Sequence, residues 1–141
     1  NISHPEVEDA FVNHTQWDEK KCYPLVISNN KLLESKITSD IIYKGMTATA
    51  GGFYGPQGRT LRIAVKDPYL NSKIETFDYK GIKVTNLEME TSAIYGLAKL
   101  LGHRACSMNA IIANRALGKF SKNPDQVIGN LILYTLEKLV N

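Results

Sequence analysis

A glycine-rich segment, residues 47–62, carries polar and aromatic side chains that a plain turn does not need. Within it, Phe53 and Tyr54 precede Gln57 and Arg59. A glutamine side chain offers one acceptor and two donors, and an arginine offers five donors. Together they could bind a small heterocycle that presents carbonyl, N–H and carbonyl groups along one edge. The alternative is an ordinary hairpin loop, in which glycine and proline only supply turn geometry.

The spacing of these glycines excludes a phosphate-binding P-loop. That motif requires a glycine five positions before the glycine of its Gly-Lys pair. Counting back five positions from Gly58 reaches Phe53, and Arg59 stands where the lysine is required. The segment is therefore either a hairpin loop or a recognition loop, and the residue types leave both open.

An acidic triplet, Glu88-Met89-Glu90, follows the apolar strand predicted for residues 82–87. In α/β sheets ligands bind outside the carboxyl ends of the strands, where a carboxylate can accept hydrogen bonds from two sugar hydroxyls. If the triplet is extended, alternation places Glu88 and Glu90 on one side and Met89 on the other. The alternative is a pair of capping carboxylates that stabilise the positive N-terminus of the next helix.

Two further polar residues, Asn114 and Arg115, follow four consecutive apolar residues at the end of a strand predicted for residues 105–113. An arginine in this position could reach a ligand or pair with a surface acid. The three histidines are scattered without the spacing of metal ligands, so no metal site is predicted.

The order of predicted elements indicates an α/β fold. Ser3 is expected to cap the first helix. Helices are predicted at residues 4–12, 31–36, 72–80, 91–101 and from 124 onward, and strands at 25–27, 41–50, 61–66, 82–87 and 105–113. Strands 41–50 and 61–66 are expected to pair across the glycine-rich segment. The residues expected to face inward from the last two helices are Ile94, Leu97, Ala98, Leu101, Ile128, Leu131, Ile132 and Leu139.

Length and composition predict a single domain, residues 1–141, of a water-soluble type. The net charge of +3 comes without a Lys/Arg run, so no nucleic-acid partner is expected. No apolar run approaches a membrane span, and no signal peptide is visible. Cys22 and Cys106 are isolated, as in reduced cytoplasmic chains. The expected location is therefore the cytoplasm, without a membrane partner.

Taken together, three motifs resemble the hexameric class of nucleoside phosphorylases, and most closely the uridine phosphorylases. The motifs are Phe53-Tyr54-x-x-Gln57-x-Arg59, Glu88-Met89-Glu90 and Ile111-Ile112-Ala113-Asn114-Arg115. The resemblance runs from about Tyr43 to the C-terminus. It implies the C-terminal part of a three-layer fold, with a mixed twisted sheet and flanking helices.

The resemblance also implies a reaction, the reversible phosphorolysis of uridine or another pyrimidine nucleoside to uracil and ribose 1-phosphate in pyrimidine salvage. Phosphate would be the co-substrate, and no metal or organic cofactor is implied. The implied catalytic residues are Arg59 and Glu90. The implied substrate-binding residues are Gln57 and Arg59 at the uracil edge, Phe53 packing against the nucleoside, Met89 and Glu90 at the ribose, Ile112 and Arg115 lining the base pocket, and Glu88 as a further member of the acidic motif.

Asn114 bears on the choice of base. Purine phosphorylases and adenosine-type nucleosidases carry an aspartate near this strand end, which protonates a purine ring nitrogen. An asparagine cannot donate that proton, so the resemblance favours a pyrimidine. A purine phosphorylase or nucleosidase, and a non-catalytic nucleoside-binding module, remain the alternatives.

The chain departs from the family in length. Family members are nearly twice as long, and the half that carries their phosphate-binding glycine and arginines has no counterpart before Tyr43. We therefore expect this chain to correspond to the C-terminal half and to have little or no phosphorolysis activity alone. The family assembles as dimers grouped into hexamers, which implies either a homo-oligomer or pairing with the missing half.

Overall fold

The computed structural model describes residues 2–114 and 117–140, which form two packing units. Among these residues, the first unit comprises 2–28 and 43–104, and the second comprises 29–42, 105–114 and 117–140. The first unit contains α1 (Pro5–Thr15), β1 (Met46–Thr49), α3 (Leu70–Glu75), β2 (Asp78–Tyr79), β3 (Ile82–Glu88) and α4 (Thr91–Leu100). The second contains α2 (Lys31–Ile37), β4 (Ala113–Asn114), β5 (Lys119–Phe120) and α5 (Pro124–Val140). The predicted α/β class is confirmed, and the prediction of one domain stays a prediction.

The sheet of the first unit has the order β1-β3-β2 and is mixed. The pairing of β1 with β3 is parallel, with Thr49 opposite Glu88, and the pairing of β2 with β3 is antiparallel. The Ala50 N–H donates to the Glu88 carbonyl over 2.8 Å, which continues the parallel ladder one residue past β1. The two parallel strands therefore end together at one edge of the sheet.

The predicted hairpin between residues 41–50 and 61–66 is wrong. Residues 61–66 form no strand, and β1 takes β3 as its partner instead. The glycine-rich segment between them contains a single turn of 3₁₀ helix, Gly55–Gln57. Two apolar runs that are close in sequence suit a hairpin. The local pattern does not decide whether β1 pairs with the nearer run or with a strand farther along the chain.

A tight turn joins β2 to β3. Lys80 and Gly81 both have positive φ, 53° and 84°, and the Gly81 N–H donates to Asp78 Oδ1 over 2.7 Å. Two positive φ angles are typical of a hairpin turn that matches the twist of its strands. The helix predicted for 72–80 is therefore shorter and earlier, at Leu70–Glu75, because the residues after it form this hairpin.

The first helix begins differently from the prediction. His4, and not Ser3, is its N-cap residue, and Pro5 occupies the first turn as expected. The segment predicted as strand 25–27 forms no strand, but it is tied to α1 by the Val26 N–H, which donates to Glu8 Oε1 over 2.8 Å. Side-chain bonding thus replaces the sheet pairing that an apolar triplet suggested.

Aromatic and aliphatic side chains form the buried centre of the first unit. Phe77 and Leu70 are buried, and the Phe11 ring meets the Phe77 ring edge-on with centroids 5.1 Å apart. Such an edge-to-face pair stabilises a fold by about 1 kcal/mol beyond its buried area. This cluster lies on α1, α3 and the residue that leads into β2.

In the second unit, α2 and α5 are joined through Tyr134. Its hydroxyl lies 2.7 Å from both the carbonyl of Ile37 and the hydroxyl of Ser39, and Ile37 is buried. Asn30 caps α2 by accepting from the Leu33 N–H, as the predicted helix start requires. The strand predicted for 105–113 is wrong: of its residues only Ala113 is in a strand, the two-residue β4.

The inward faces predicted for the last two helices are mostly exposed. These exposed residues are Ile94, Leu97, Leu101, Ile128, Ile132 and Leu139, while Ala98 and Leu131 are half-buried. Helical spacing identifies an apolar face, but burial also requires a surface that packs against it.

Among the described residues, no helix is both long and apolar enough to cross a membrane.

Candidate functional site

Two of the three sequence motifs emerge from the same edge of the parallel pair. The glycine-rich segment begins within β1 and continues past its carboxyl end, and the acidic triplet begins at the last residue of β3. The register places Thr49 opposite Glu88, so both connections start at neighbouring carboxyl ends. This edge is where ligands bind in α/β sheets.

Glu88 is surrounded by hydrogen-bond donors of the protein itself. Its Oε1 accepts from the Thr49 hydroxyl over 2.5 Å. Its Oε2 accepts from the backbone N–H groups of Glu90 and Thr91, each over 2.8 Å. The first N–H groups of a helix have no partner within the helix, so this carboxylate satisfies donors at the start of α4.

The same contacts set the charge state of Glu88. Burial raises the pKa of its carboxyl, but hydrogen bonds from the Thr49 hydroxyl and from the Glu90 and Thr91 amides outweigh burial. The net pKa lies below the ordinary 4.5. Glu88 is therefore ionised at neutral pH, where its charge also favours the positive end of α4.

Met89 and Glu90 do not continue the strand. Glu90 is the N-cap residue of α4, with φ −127° and ψ −33°, so the triplet is not extended and the condition for placing both glutamates on one side is not met. Met89 is 40% exposed and Glu90 is exposed. The Glu90 carboxylate accepts from the Met89 N–H over 3.2 Å through Oε2. An exposed carboxylate beside a helix N-terminus can accept further hydrogen bonds from hydroxyl groups.

Gln57 is the buried polar residue of the glycine-rich segment, with 3% of its surface exposed. Its side-chain Oε1 accepts from Arg59 Nη1 over 2.9 Å. Its backbone carbonyl accepts from Asn71 Nδ2 over 3.0 Å, which ties the 3₁₀ turn to α3. The amide is thus oriented with its oxygen toward the guanidinium.

Arg59 completes this cluster by lying over an aromatic ring. Its Cζ is 3.4 Å from the Phe53 ring centroid, and its Nη1 also donates to the Phe53 carbonyl. The Tyr54 ring meets Phe53 edge-on, with centroids 5.2 Å apart. The structure therefore brings together the three residues predicted at the base: Phe53, Gln57 and Arg59.

The third motif belongs to the second unit, and its predicted place in the site stays a prediction. Ile112 is exposed, and its carbonyl accepts from the Ser121 N–H over 2.8 Å. Asn114 lies in β4, and its Oδ1 accepts from the Leu117 N–H over 3.1 Å. Arg115 lies outside the described residues.

Thr49 and Asn71 hold the site residues in place and were missed in the sequence. Each touches a predicted site residue, Thr49 through its hydroxyl on Glu88 and Asn71 through its amide on Gln57. A threonine at the end of a strand is common, and only the parallel register reveals that it faces Glu88. Within residues 2–114 and 117–140, no group of three or more His, Cys, Asp and Glu side chains could hold a metal ion.

Comparison with known proteins gives two matches to nucleoside phosphorylases, while no family model matches the chain. A uridine phosphorylase from Thermococcus kodakarensis is 37% identical over 84 residues, which cover 55% of this chain and 27% of that protein. A crystal structure of a Trypanosoma brucei nucleoside phosphorylase, described as showing uridine phosphorylase activity, superposes with a TM-score of 0.62 at 25% identity. It covers 98% of this chain and 42% of that one.

The chain thus spans less than half the length of either protein it matches. The sequence identity and the shared fold confirm the relationship to nucleoside phosphorylases that the motifs predicted. The correspondence of this chain to their C-terminal half stays a prediction.

Proposed function

We propose that this chain, which is related to the nucleoside phosphorylases, forms the base- and ribose-binding part of a uridine phosphorylase, an enzyme of the pentosyltransferase type. The reaction is the reversible phosphorolysis of uridine, or another pyrimidine nucleoside, to uracil and ribose 1-phosphate. The observation that carries this proposal is that two motifs lie at the same edge of the sheet. The segment with Gln57 and Arg59 and the triplet with Glu90 begin at adjacent parallel strand ends.

The base-binding role rests on the chemistry of the leaving group. When the bond from ribose C1′ to the base nitrogen breaks, negative charge spreads to the carbonyl oxygens of uracil. Donors aimed at those oxygens are stronger partners in the transition state than in the ground state. Arg59 is suited to this because only its Nη1 donates to the described residues, which leaves Nε and Nη2 for a ligand.

The ribose role belongs to the exposed end of the acidic triplet. As C1′ loses the base, the sugar gains positive charge, and a carboxylate on its hydroxyls both orients it and offsets that charge. Glu90 is exposed at the start of α4, so its carboxylate is accessible to a diol. Met89, also exposed, would contact the sugar beside it.

The choice of a pyrimidine rests on the Gln57–Arg59 pair and, through the resemblance alone, on the residue type at position 114. An asparagine cannot protonate a purine ring nitrogen, whereas a buried glutamine and an arginine suit an edge of alternating carbonyl and N–H groups. The proposal includes inorganic phosphate as co-substrate, no metal or organic cofactor, a homo-oligomeric enzyme and a cytoplasmic location in pyrimidine salvage.

A second candidate is nucleoside binding without phosphorolysis. It is compatible with the same contacts, because Gln57 and Arg59 suit a base and Glu90 suits a sugar, and neither role requires phosphate. The two candidates differ in whether phosphate changes nucleoside binding, since a phosphorylase binds both substrates in one site.

The test is a calorimetric titration of the chain with uridine and with inosine, each with and without phosphate. We expect uridine to bind, inosine to bind more weakly, and Arg59→Ala to weaken uridine binding while Arg62→Ala does not. Arg62 is a suitable control because it is an exposed arginine in the same segment. Binding that phosphate does not affect would favour the second candidate, and preferential binding of inosine would contradict the pyrimidine assignment.

A further inference from the structure

The hydroxyl of Thr49 joins three elements at the edge where the motifs meet. It donates to Glu88 Oε1 over 2.5 Å and accepts from the Ser92 N–H over 3.0 Å. Thr49 ends β1, Glu88 ends β3 and Ser92 lies in the first turn of α4. Since a hydroxyl has one proton to donate, Glu88 takes the whole donor capacity of this side chain.

Glu88 has little capacity left for a substrate. An ionised carboxylate offers about four acceptor positions. The amides of Glu90 and Thr91, the Thr49 hydroxyl and the Thr91 hydroxyl all bond to it. The resemblance counts Glu88 among the substrate-binding residues, but the contacts of its carboxylate are with the protein itself.

We propose that Thr49 is a positioning residue that, with Glu88, couples the base-binding loop, residues 53–59, to the ribose-binding residues Met89 and Glu90. This inference rests on the proposed function. Under this proposal Glu88 does not contact the substrate but holds the backbone of Glu90 and Thr91 in place. Glu90 is the carboxylate that contacts the sugar.

The geometry explains how one hydroxyl affects both halves of the site. The Ala50 N–H donates to the Glu88 carbonyl over 2.8 Å, so the first residue after β1, which leads toward Phe53, Gln57 and Arg59, is fixed to the same glutamate. On the other side, Met89 and Glu90 form a two-residue span between Glu88 and the start of α4. β3 holds one end of that span. The other end is held by two hydrogen bonds, from the Thr91 N–H to Glu88 and from the Ser92 N–H to Thr49.

A simpler reading treats Thr49 and Glu88 as an ordinary helix cap. A cap affects the stability of α4 but has no reason to change the affinity for a nucleoside or its dependence on pH. The two readings are therefore separated by binding measurements, with stability recorded alongside.

The experiment compares Thr49→Val, Thr49→Ser and Thr47→Val by uridine calorimetry between pH 4 and pH 7. Valine matches threonine in shape but removes both hydrogen bonds, and serine keeps the hydroxyl. Thr47 is the matched control, because it lies two residues earlier in β1 and its hydroxyl has no hydrogen bond among the described residues.

We expect Thr49→Val to weaken uridine binding about tenfold, with Thr47→Val and Thr49→Ser close to the unmodified chain. Without the Thr49 hydrogen bond the pKa of Glu88 rises, so the loss of binding on acidification should begin at a higher pH. Glu90 is the other ionisable side chain of this segment, and it is unchanged in all three variants. Equal affinity and equal pH profiles for Thr49→Val and Thr47→Val would overturn the proposal.

A second measurement covers a Thr49→Val variant that does not fold, or a chain that does not bind uridine. Amide hydrogen exchange of Ser92 is followed in the unmodified chain and in Thr49→Ser, with and without uridine. Added uridine should slow exchange at Ser92, and an unchanged rate overturns the coupling. If the unmodified chain does not bind uridine, the proposed function fails. In that case the hydrogen bond from the Ser92 N–H to the Thr49 hydroxyl is tested separately: equally slow exchange at Ser92 in Thr49→Val and Thr47→Val would overturn it.

Discussion

At the scale of single residues, Arg59 is anchored on one side only. Its Nη1 donates to the Phe53 carbonyl and to Gln57 Oε1, while the guanidinium lies over the Phe53 ring. A cation over an aromatic face is stabilised by about 0.5–1 kcal/mol at an exposed site. The side chain is thus ordered before a ligand arrives, and a donor that is already oriented loses less entropy on binding.

Replacing Arg59 by alanine is expected to weaken uridine binding about 10- to 100-fold, because hydrogen bonds to a charged group are worth about 1.5–3 kcal/mol. The uridine affinity of Arg59→Lys should lie between those of the unmodified chain and Arg59→Ala, since an ammonium keeps the charge but lacks the planar fork of donors. Calorimetry with uridine measures both variants. An Arg59→Ala chain that binds uridine as tightly as Arg62→Ala would remove Arg59 from the proposed site.

Glu88 makes a second prediction at this scale, which concerns stability against pH. Its pKa is lower in the folded chain than the ordinary 4.5, so its stabilising effect is complete above about that value. As the pH falls through the lower folded value, that stability is lost. Glu88→Gln should therefore be less stable than the unmodified chain at pH 7 and should lose less stability on acidification.

Urea unfolding from pH 7 to pH 3 measures this difference, with Glu75→Gln, an exposed residue at the end of α3, as the control. Part of the acid loss remains in Glu88→Gln, because hydrogen bonds to Lys66 and Lys73 also lower the pKa values of Asp18 and Asp67. Identical pH profiles for the Glu88→Gln and Glu75→Gln variants would show that Glu88 is not held by its neighbours.

At the scale of elements, the base-binding loop depends on one turn and its contact with α3. Gly58 ends the 3₁₀ turn at φ +72°, a conformation that other residues rarely adopt. A Cβ atom there would come within 2.4 Å of Asn71 Nδ2, whose amide donates to the Gln57 carbonyl. Two requirements, positive φ and close approach, thus fix a glycine between Gln57 and Arg59.

Gly58→Ala is expected to destabilise the chain by about 1–2 kcal/mol from the positive φ alone, and to weaken uridine binding by displacing Asn71. Gly55→Ala is the matched control, because a Cβ atom at Gly55 has no neighbour within 4 Å and its φ is not positive. Thermal unfolding and uridine calorimetry measure both variants. Equal effects of the two substitutions would indicate that the turn does not position the loop.

The elements also show what the sequence could and could not predict. Helices α2, α4 and α5 and strand β3 were predicted because capping residues and apolar spacing are local signals. The pairing of β1 with β3 is a choice between distant strands, and the apolar run before Ala113 resembled a buried strand without forming one. The role of Thr49 could not be predicted for the same reason, since its contact with Glu88 depends on the pairing of β1 with β3.

At the scale of the whole molecule, apolar side chains are more exposed than buried. Among the described residues the buried apolar side chains are those of Ile37, Leu70 and Phe77, and none of the seventeen described residues of α5 is buried. Exposed apolar patches of this kind mark interaction sites or a tendency to associate. The chain also spans only 27% and 42% of the relatives it matches.

Substituting glutamine for Leu133 and Leu136 together tests this exposure directly. These side chains are 62% and 54% exposed, so their removal should change the free energy of unfolding by only about 0.5 kcal/mol each. Binding of a hydrophobic dye and self-association should fall, because the variant loses apolar surface that water contacts. Dye fluorescence and analytical ultracentrifugation measure these changes. Gln126→Ala with Asn130→Ala, polar positions on the same helix, should leave both readouts unchanged or slightly raised. A loss of several kcal/mol in Leu133→Gln with Leu136→Gln would instead mean that these leucines are buried in solution by another part of the chain or by a second copy.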